Sequence, residues 1–288
     1  MITLRTSSSL IANLIPARSA RSKKGDNGIV LVVGGSRIYH GAPLLASLAA
    51  MRSGADLVYV AVPKSISSAL RSYSPSLIVL PLPDDRLTIG SVNKLKTMLP
   101  KKIDAAAIGM GLSIAKVEAL TNLIGELEGM NSKVLLDASA LVPGVLPSVS
   151  KRQVVLTPHA GEFERVFGHR AGKRDKERIE NVKRFASKYK ITVLLKGWID
   201  VISDGKKVVL NKIHNSAMTV GGTGDVLSGL TAGLLAKGMN PLNSSLAGSS
   251  INGLAGNRAY KRVGLHLLPT DIIDEIPDVM KKFDRVKR

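Results

Sequence analysis

The sequence predicts an α/β fold in which helices cover both faces of a mostly parallel sheet, giving three α/β/α layers. Two observations lead to this prediction. Short and almost fully apolar runs recur along the chain, and segments with helical spacing lie between most of them. Strands that are apolar on both faces are typical of parallel sheets buried between helices. Ligands of such sheets bind beyond the carboxyl ends of the strands.

The first strand is predicted from "GIVLVV" at residues 28–33, a β-branched run that ends at Gly34 and Gly35. The following "APLLASLAAMRSG" has helical spacing. Six further apolar runs predict strands at 57–62, 77–82, 105–108, 133–137, 154–157 and 192–196. Helices are predicted over 117–127, 176–189 and 243–262, the last rich in Ser, Gly and Ala.

The stretch "VISDGKKVVL" predicts a β-hairpin that turns on Asp204 and Gly205, and the rest of the chain is predicted to be helical to its C-terminus. No linker or internal repeat interrupts the pattern, so residues 1–288 are predicted to form a single domain. Residues 1–24 are predicted to be an N-terminal extension. They contain no acidic residue and no obvious amphipathic helix, and Pro16 interrupts them.

The composition favours a cytoplasmic protein. No apolar run approaches the roughly 18–20 residues needed to cross a bilayer, and the absence of cysteine excludes disulfides, thiol catalysis and Cys-ligated metals. The net charge of +19 favours polyanionic partners. Because the basic residues are scattered and not interleaved with aromatic residues, nucleic-acid binding is not expected. A nucleotide partner or a solvated basic surface accounts for the charge equally well.

A candidate active site lies at "GGTGD", residues 221–225, directly before an apolar run that predicts a buried helix. Glycines let several N–H groups point at one anion, and the helix N-terminus adds partial positive charge. Asp225 is therefore predicted to be a general base that accepts a hydroxyl proton while the turn holds a phosphate. The alternative is a plain N-cap. No G-K-[ST] follows, so the turn is not a Walker P-loop.

Two more segments are predicted to reach the same edge of the sheet. In "LTPHAGE", His159 could bind a substrate and Glu162 could hold magnesium through water, or compensate a helix dipole. In "LLKGWID", Lys196 could meet a phosphate as a point charge. The segments "GGS" from Gly34 and "HGAP" from His40 are predicted to line this edge too. The run "AIGMGLS" lacks a third glycine and does not fit a dinucleotide fingerprint.

Taken together, the motifs resemble the ADP- or ATP-dependent NAD(P)H-hydrate dehydratases of the ribokinase-like superfamily over nearly the whole chain. The matching segments are "VVGGS", "YHGAP", "MRSGADLVYVAVP", "LDASAL", "LTPHAGE", "LLKG" and "GGTGDVLSG" in this order. The resemblance implies a ribokinase-like fold and a repair reaction. Hydrated NADH or NADPH is phosphorylated on its ring hydroxyl by ADP, and loss of phosphate restores the double bond, leaving AMP and phosphate.

The resemblance also implies the roles of individual residues. Asp225 matches the catalytic acidic residue, the presumed base, which also contacts the substrate. The positions that match substrate contacts are Ala42, Gly111 and His159. The positions that match the nucleotide site are Lys196, Gly197, Trp198, Ile199, Asp200, Gly222, Thr223 and Gly224. Mg²⁺ is the implied metal ion. ADP is the implied phosphoryl donor, because prokaryotic-type members use ADP whereas eukaryotic ones use ATP.

Three positions depart from the family pattern. Met110 and Ala160 stand where proline is usual, and Ser139 stands where a second Asp is usual, which bears on loop shape and metal binding. By analogy the chain is expected to form a homo-oligomer, a tetramer, in which the small-residue helix could take part. An epimerase is expected to be a separate chain acting upstream.

Two other functions are compatible with parts of the sequence. A ribokinase-like kinase for a hydroxymethylpyrimidine or thiazole alcohol would share the G-T-G-D turn, but such kinases resemble "TPN" where this chain has His159. A nucleotide sensor or nucleic-acid-binding protein on an inactive scaffold is disfavoured because Asp225 lies in an intact turn.

Overall fold

The computed structural model describes residues 3–5 and 8–287. The strands in these ranges are β1 (Thr3–Arg5), β2 (Arg18–Ser19), β3 (Ile29–Val33), β4 (Leu57–Pro63), β5 (Ile78–Leu82), β6 (Ala105–Ile108), β7 (Lys133–Leu136), β8 (Val154–Leu156), β9 (Thr192–Leu195), β10 (Asp200–Ser203), β11 (Val208–Asn211) and β12 (Val286–Lys287). The α-helices are α1 (Ser8–Leu14), α2 (Gly41–Arg52), α3 (Lys64–Tyr73), α4 (Ile89–Met98), α5 (Val117–Gly129), α6 (Leu146–Val149), α7 (Ala160–Phe167), α8 (Asp175–Tyr189), α9 (Thr223–Ala236), α10 (Pro241–Val263) and α11 (Pro269–Met280).

Ten strands form one sheet in the order β1-β11-β10-β9-β8-β7-β6-β3-β4-β5. From β9 to β5 all neighbouring strands are parallel, and β10 is antiparallel to both β9 and β11. The mostly parallel sheet and the β10–β11 hairpin confirm the predictions from the apolar runs. The parallel strands end along a common edge, called the carboxyl edge here.

Strand β3 shows how the sheet is buried between helices. Its alternating side chains point to opposite faces. Leu31 and Val33 join a core that includes helices α4, α5, α7 and α8, whereas Val30 and Val32 join a core with α2, α3 and α9. Helices α10 and α11 pack on the outer side of α9 and share a third core with it. Burial on both faces explains why the strands are almost continuously apolar.

Helices α2 and α9 touch at backbone distance because glycines lie at their contact. A Cβ added at Gly229 would clash with the backbone carbonyl of Ala46, and one at Gly233 would clash with Ser53. Helix α9 also lies on β3, β6 and β7. These contacts fix the N-terminus of α9 over the middle of the carboxyl edge.

The small residues of α10 are used inside the chain. A Cβ at Gly248 would clash with Thr231 of α9, one at Gly253 with the carbonyl of Ile213, and one at Gly256 with Met218. Ser244, Ser250 and most of their neighbours on α10 are buried. The packing partners of these small residues therefore belong to the same chain, and a role of the helix in subunit assembly stays a prediction.

Both ends of the chain differ from expectation. Helix α1 lies in the segment where no helix was expected, and it ends just before Pro16, with Ile11 and Ile15 buried against α10 and α11. Strand β1 pairs with β11. The chain is not helical to its end, because β12 pairs with β2 through backbone hydrogen bonds such as Arg18 N–H to Arg285 O (2.8 Å). Residues 1, 2, 6, 7 and 288 of the predicted extension and domain lie outside the described ranges.

Strand β5 is one edge of the sheet, and it contains Pro81, which has no N–H to donate. Proline in a sheet is found mainly on such edges. None of the helices within residues 3–5 and 8–287 is long and apolar enough to cross a membrane.

The α2–α9 contact predicts a large difference between two glycine substitutions. Gly229→Ala is expected to destabilise the protein by about 1–3 kcal/mol, because the added methyl group must push apart two buried helices. Gly125 is exposed on α5 with open space around its Cβ position, so Gly125→Ala is expected to be neutral or stabilising by up to ~1 kcal/mol. Urea denaturation of both variants measures the two effects. Equal stability of the two variants would contradict the contact.

Candidate functional site

The N-terminus of α9 forms the centre of the site. Gly222 precedes the helix with φ +102°, a conformation that residues with a Cβ rarely adopt, and a Cβ there would also meet Leu45 and Pro269. The helix begins at Thr223, so Asp225 is its third residue rather than its N-cap. The N-cap alternative for Asp225 is thereby excluded. The first N–H groups of a helix have no partner within it, and here they lie at the carboxyl edge.

The Asp225 carboxyl group is partly buried and forms no hydrogen bond or ion pair with another side chain in residues 3–5 and 8–287. Burial raises its pKa to about 7, helped by the negative charges of Asp137 and Glu162 and opposed by Lys196. A carboxyl group with a pKa near neutrality can exchange a proton at physiological pH, as a general base must.

Lys196 connects three carboxyl groups at the carboxyl edge. Its Nζ lies 2.8 Å from Asp137 Oδ1 and 3.6 Å from Glu162 Oε2. Burial alone would lower the pKa of Lys196, but Asp137, Glu162 and Asp225 outweigh burial and raise it. The second oxygen of Asp137 accepts a hydrogen bond from Ser228 Oγ at 2.7 Å. We call Asp137, Glu162, Lys196 and Asp225 the charge cluster.

The cluster brings together ends of neighbouring strands. Asp137 follows β7, His159 and Glu162 follow β8, and Lys196 follows β9, and these three strands are adjacent. Lys196 also reaches the α9 turn, since its Nζ lies 3.5 Å from the position that a Cβ of Gly224 would occupy. The cation thus lies between the carboxylates and the predicted phosphate-binding amides.

His159 and Glu162 form a capping box at the start of α7. His159 Nδ1 accepts hydrogen bonds from the N–H groups of Gly161 (3.0 Å) and Glu162 (3.3 Å), and Glu162 Oε2 accepts one from His159 N–H (2.9 Å). Because Nδ1 accepts, the neutral ring carries its proton on Nε2. Glu162 therefore does stabilise the N-terminus of α7, which was the alternative role considered for it. The His159 side chain is 60% exposed and faces solvent beside the charge cluster.

The loop between β9 and β10 is held by Arg178 of helix α8. Arg178 Nη2 donates to the carbonyls of Lys196 (3.4 Å) and Ile199 (3.1 Å). Ile199 is buried, whereas Trp198 is 74% exposed and packs edge-on against His214. Of the predicted nucleotide contacts in this loop, Trp198 presents its side chain to solvent and Ile199 does not.

The carboxyl group of Asp200 stabilises the same loop through hydrogen bonds. Its Oδ1 accepts the N–H of Gly197 (3.0 Å) and its Oδ2 accepts the hydroxyl of Ser249 (2.6 Å). Burial raises the pKa of Asp200, and both hydrogen bonds oppose that rise. The Asp200 side chain and the Gly197 N–H therefore already have partners, which makes them supports of the loop.

The predicted substrate positions Ala42 and Gly111 are brought together. A Cβ on Gly111 would lie 3.1 Å from the Ala42 Cβ and 2.7 Å from that of Tyr39. Met110, one of the departures from the family pattern, is fully buried in the core beside α2 and α9. Ser139, another departure, lines a surface cavity with Gly111. Ala160, the third, is the first residue of α7.

Four residues of the site were not assigned from the sequence: Asp137, Arg178, Ser228 and Ser249. Asp137 carried a usable signal, because an acidic residue directly after a buried strand of a parallel sheet lies at the ligand-binding edge. The other three act through contacts 18 to 91 residues away along the chain, which motif spacing does not reveal.

The described residues contain no group of three or more His, Cys, Asp or Glu side chains placed to hold a metal ion. Asp137 and Glu162 offer carboxylate oxygens, but those oxygens already contact Lys196, His159 or Ser228. This donor set fits a magnesium ion bound mainly by phosphates and water, which needs only one or two carboxylates.

Comparison with known proteins gives a consistent result. A family model described as NAD(P)H-hydrate dehydratase matches residues 30–278. An ADP-dependent (S)-NAD(P)H-hydrate dehydratase of Nitrosopumilus maritimus is 54% identical, and the match covers 96% of both chains. A bifunctional NAD(P)H-hydrate repair enzyme of Pyrobaculum aerophilum is 42% identical over 92% of this chain and 53% of its own length.

A solved structure is similar over almost the whole chain. It is an ADP/ATP-dependent NAD(P)H-hydrate dehydratase from Bacillus subtilis, co-crystallised with ATP and Mg²⁺. It is 29% identical, covers 99% of this chain and 100% of its own, and superposes with a TM-score of 0.85.

The raised pKa of Asp225 predicts how its replacement changes stability with pH. The folded protein keeps a proton on this carboxyl group up to a pH of about 7, whereas the unfolded chain loses it near the ordinary value of 3.8. Stability is therefore lost as pH rises between those values. Asp225→Asn cannot ionise and is expected to raise Tm at pH 8 by about 2 °C or more, with a smaller change at pH 4.

Thermal unfolding at both pH values tests this expectation, with Asp274→Asn as the control because Asp274 is exposed on α11. A gain in Tm for Asp225→Asn that is equal at the two pH values would show that burial does not raise the pKa.

Proposed function

Because the chain belongs to the NAD(P)H-hydrate dehydratase family, we propose that it repairs hydrated NADH and NADPH, with Asp225 as the base and ADP as the phosphoryl donor. The observation that carries the mechanism is the Asp225 carboxyl group. It lies in the first turn of α9, has no hydrogen-bond partner among the residues that the structure describes, and its pKa is raised to about 7. The family match favours this activity over the small-molecule kinase alternative.

In the first step, Asp225 accepts the proton of the ring hydroxyl. The hydroxyl oxygen forms a bond to the β-phosphorus of ADP, and the bond between that phosphorus and the bridging oxygen breaks, so AMP leaves with the electron pair. The products are AMP and a phosphate ester of the hydrate. Positioning the nucleophile and stabilising phosphoryl charge are the main tasks of a protein in such a transfer.

In the second step, the bond between the ring carbon and the ester oxygen breaks, and inorganic phosphate leaves with the electron pair. The neighbouring ring carbon loses a proton to solvent, and the ring double bond forms. NADH or NADPH is thereby restored. The overall reaction converts hydrate and ADP into reduced dinucleotide, AMP and phosphate.

Lys196 and the N-terminus of α9 are suited to hold the phosphoryl group. A lysine ammonium group has three donors. One of them is used in the hydrogen bond to Asp137, and Glu162 is an ion-pair partner at 3.6 Å, so donors remain for a phosphate oxygen. The amides of Gly222, Thr223 and Gly224 lie at the positive end of the helix, where anions are stabilised.

The remaining predicted contacts divide between the two ligands. We propose that Ala42, Gly111 and His159 contact the hydrated dinucleotide. The ADP site is assigned to the loop from Lys196 to Asp200, where Trp198 offers an exposed ring and Ile199, Asp200 and Gly197 shape the backbone.

Magnesium is proposed as the metal ion, held mainly by the phosphates of ADP and through water by Glu162. When bound, Mg²⁺ would neutralise part of the phosphate charge of ADP. Without it, the three carboxyl groups of the charge cluster, matched by one lysine, would repel the phosphates. Assembly into a homo-oligomer and an upstream epimerase chain remain predictions from the resemblance.

The reaction is tested by mixing hydrated NADH with magnesium and either ADP or ATP and following the absorbance of reduced nicotinamide. Recovery with ADP is expected. Asp225→Asn is expected to abolish turnover while ADP binding stays within several-fold of the wild type, because the base acts in the transition state. Asp274→Asn is the control and should keep full activity. Normal turnover by Asp225→Asn would refute the assignment of the base.

The pH dependence of kcat/KM tests the electrostatic environment of the base. Activity is expected to rise with pH through a midpoint near 7, where Asp225 loses its proton. In Asp137→Asn, a neighbouring negative charge is removed, so the midpoint is expected to move to lower pH even if kcat falls. A midpoint that stays in place would show that Asp137 does not raise the pKa of Asp225.

A further inference from the structure

A groove continues from the proposed substrate site along the carboxyl edge. Its first part is a surface cavity of about 370 Å³ that Tyr39 and Gly111 line, and its second part is a cavity of about 750 Å³ that Lys64 lines. Asp85 and Arg86 line both cavities. The groove thus joins the site at Gly111 to the ends of β4 and β5.

The far end of the groove carries the cationic side chains Arg86 and Lys64 beside the carboxylate of Asp84. Arg86 is exposed and donates to the carbonyl of Ile114 at 2.9 Å, and it forms no ion pair within residues 3–5 and 8–287. The side chain of Lys64 is also exposed and also forms no ion pair within these residues. An unpaired guanidinium group can bind a phosphate through two parallel hydrogen bonds.

The other charged groups of the groove are already engaged. Asp85 accepts the Arg37 guanidinium (2.9 Å) and the Ser65 hydroxyl (2.5 Å). Asp84 accepts the hydroxyls of Thr88 (2.5 Å) and Ser91 (2.9 Å), which lower its pKa. Arg86 and Lys64 are therefore the cations of the groove that remain available to an anionic ligand.

Strand order sets the direction in which the dinucleotide must extend. The proposed ADP loop follows β9 on one side of Asp225, and β3, β4 and β5 lie on the other side. From β6 to β5 there are three strand spacings of about 4.8 Å each, or roughly 14 Å, which is comparable with the reach of an extended dinucleotide. With the nicotinamide ring at Asp225, the adenosine half would lie along the groove toward Arg86.

We propose that Arg86, together with Lys64, binds the 2′-phosphate of the adenosine ribose, so that the enzyme prefers NADPH hydrate to NADH hydrate. This assignment rests on the proposed function. The 2′-phosphate is the group that distinguishes the two dinucleotides, and it lies at the adenosine end. The exposed ring of Tyr39, which lines the groove between Gly111 and Arg86, is available to the middle part of the ligand.

Direct binding of the reaction products NADPH and NADH tests the proposal. The wild type is expected to bind NADPH more tightly than NADH. In Arg86→Ala the Kd of NADPH is expected to rise about tenfold or more, as for loss of a charged hydrogen bond, while the Kd values of NADH and ADP change less than twofold. Arg86→Lys keeps the charge and should keep part of the preference. Lys94→Ala, on the exposed side of α4, controls for loss of one surface charge.

Equal affinity of the wild type for NADPH and NADH would overturn the proposal, as would an equal loss for both in Arg86→Ala or no loss at all. The measurement needs no turnover. Failure of the wild type to convert either hydrate would therefore contradict the proposed function, whereas the ratio of the two Kd values judges Arg86 separately.

Discussion

A single lysine facing three carboxyl groups is the interaction on which the site depends. Lys196 lies 2.8 Å from Asp137 and 3.6 Å from Glu162 and also acts on Asp225. Unit charges about 4 Å apart interact by roughly 4 kcal/mol near a protein surface, so one cation cannot compensate all three anions. Burial and the excess negative charge favour a proton on Asp225, the carboxyl group of the cluster for which the described part of the chain provides no hydrogen-bond partner. The pKa of the proposed base is thus raised by its neighbours to about 7, where the carboxyl group can exchange a proton near neutral pH.

Backbone packing places this cluster. Glycines let α9 approach α2 so closely that the first turn of α9 is fixed over β3, β6 and β7. Adjacent strands β7, β8 and β9 then deliver Asp137, Glu162 and Lys196 to the same point. The relative positions of the four side chains in the charge cluster are therefore set by the backbone, namely by the ends of three adjacent strands and the first turn of α9.

The sequence predicts the sheet well because burial on both faces demands apolar runs. It also predicts that Asp225 and Lys196 lie at one edge of the sheet, because each follows a recognisable turn or strand. It could not show that Lys196 pairs with Asp137, since that contact depends on the order of strands 59 residues apart. The capping box of His159 could not be predicted either, because it depends on the local backbone angles at the start of α7. Helix α1 escaped prediction because seven residues before a proline give too short a periodic pattern.

Strand β5 has a further consequence for self-association. An exposed sheet edge offers a row of unpaired donors and acceptors to another chain, and Pro81 removes one donor from that row. Pairing of two copies edge to edge at β5, whether in a regular assembly or in an aggregate, would leave a carbonyl of the incoming strand without its partner. Pro81 therefore disfavours extension of the sheet across two chains at this edge.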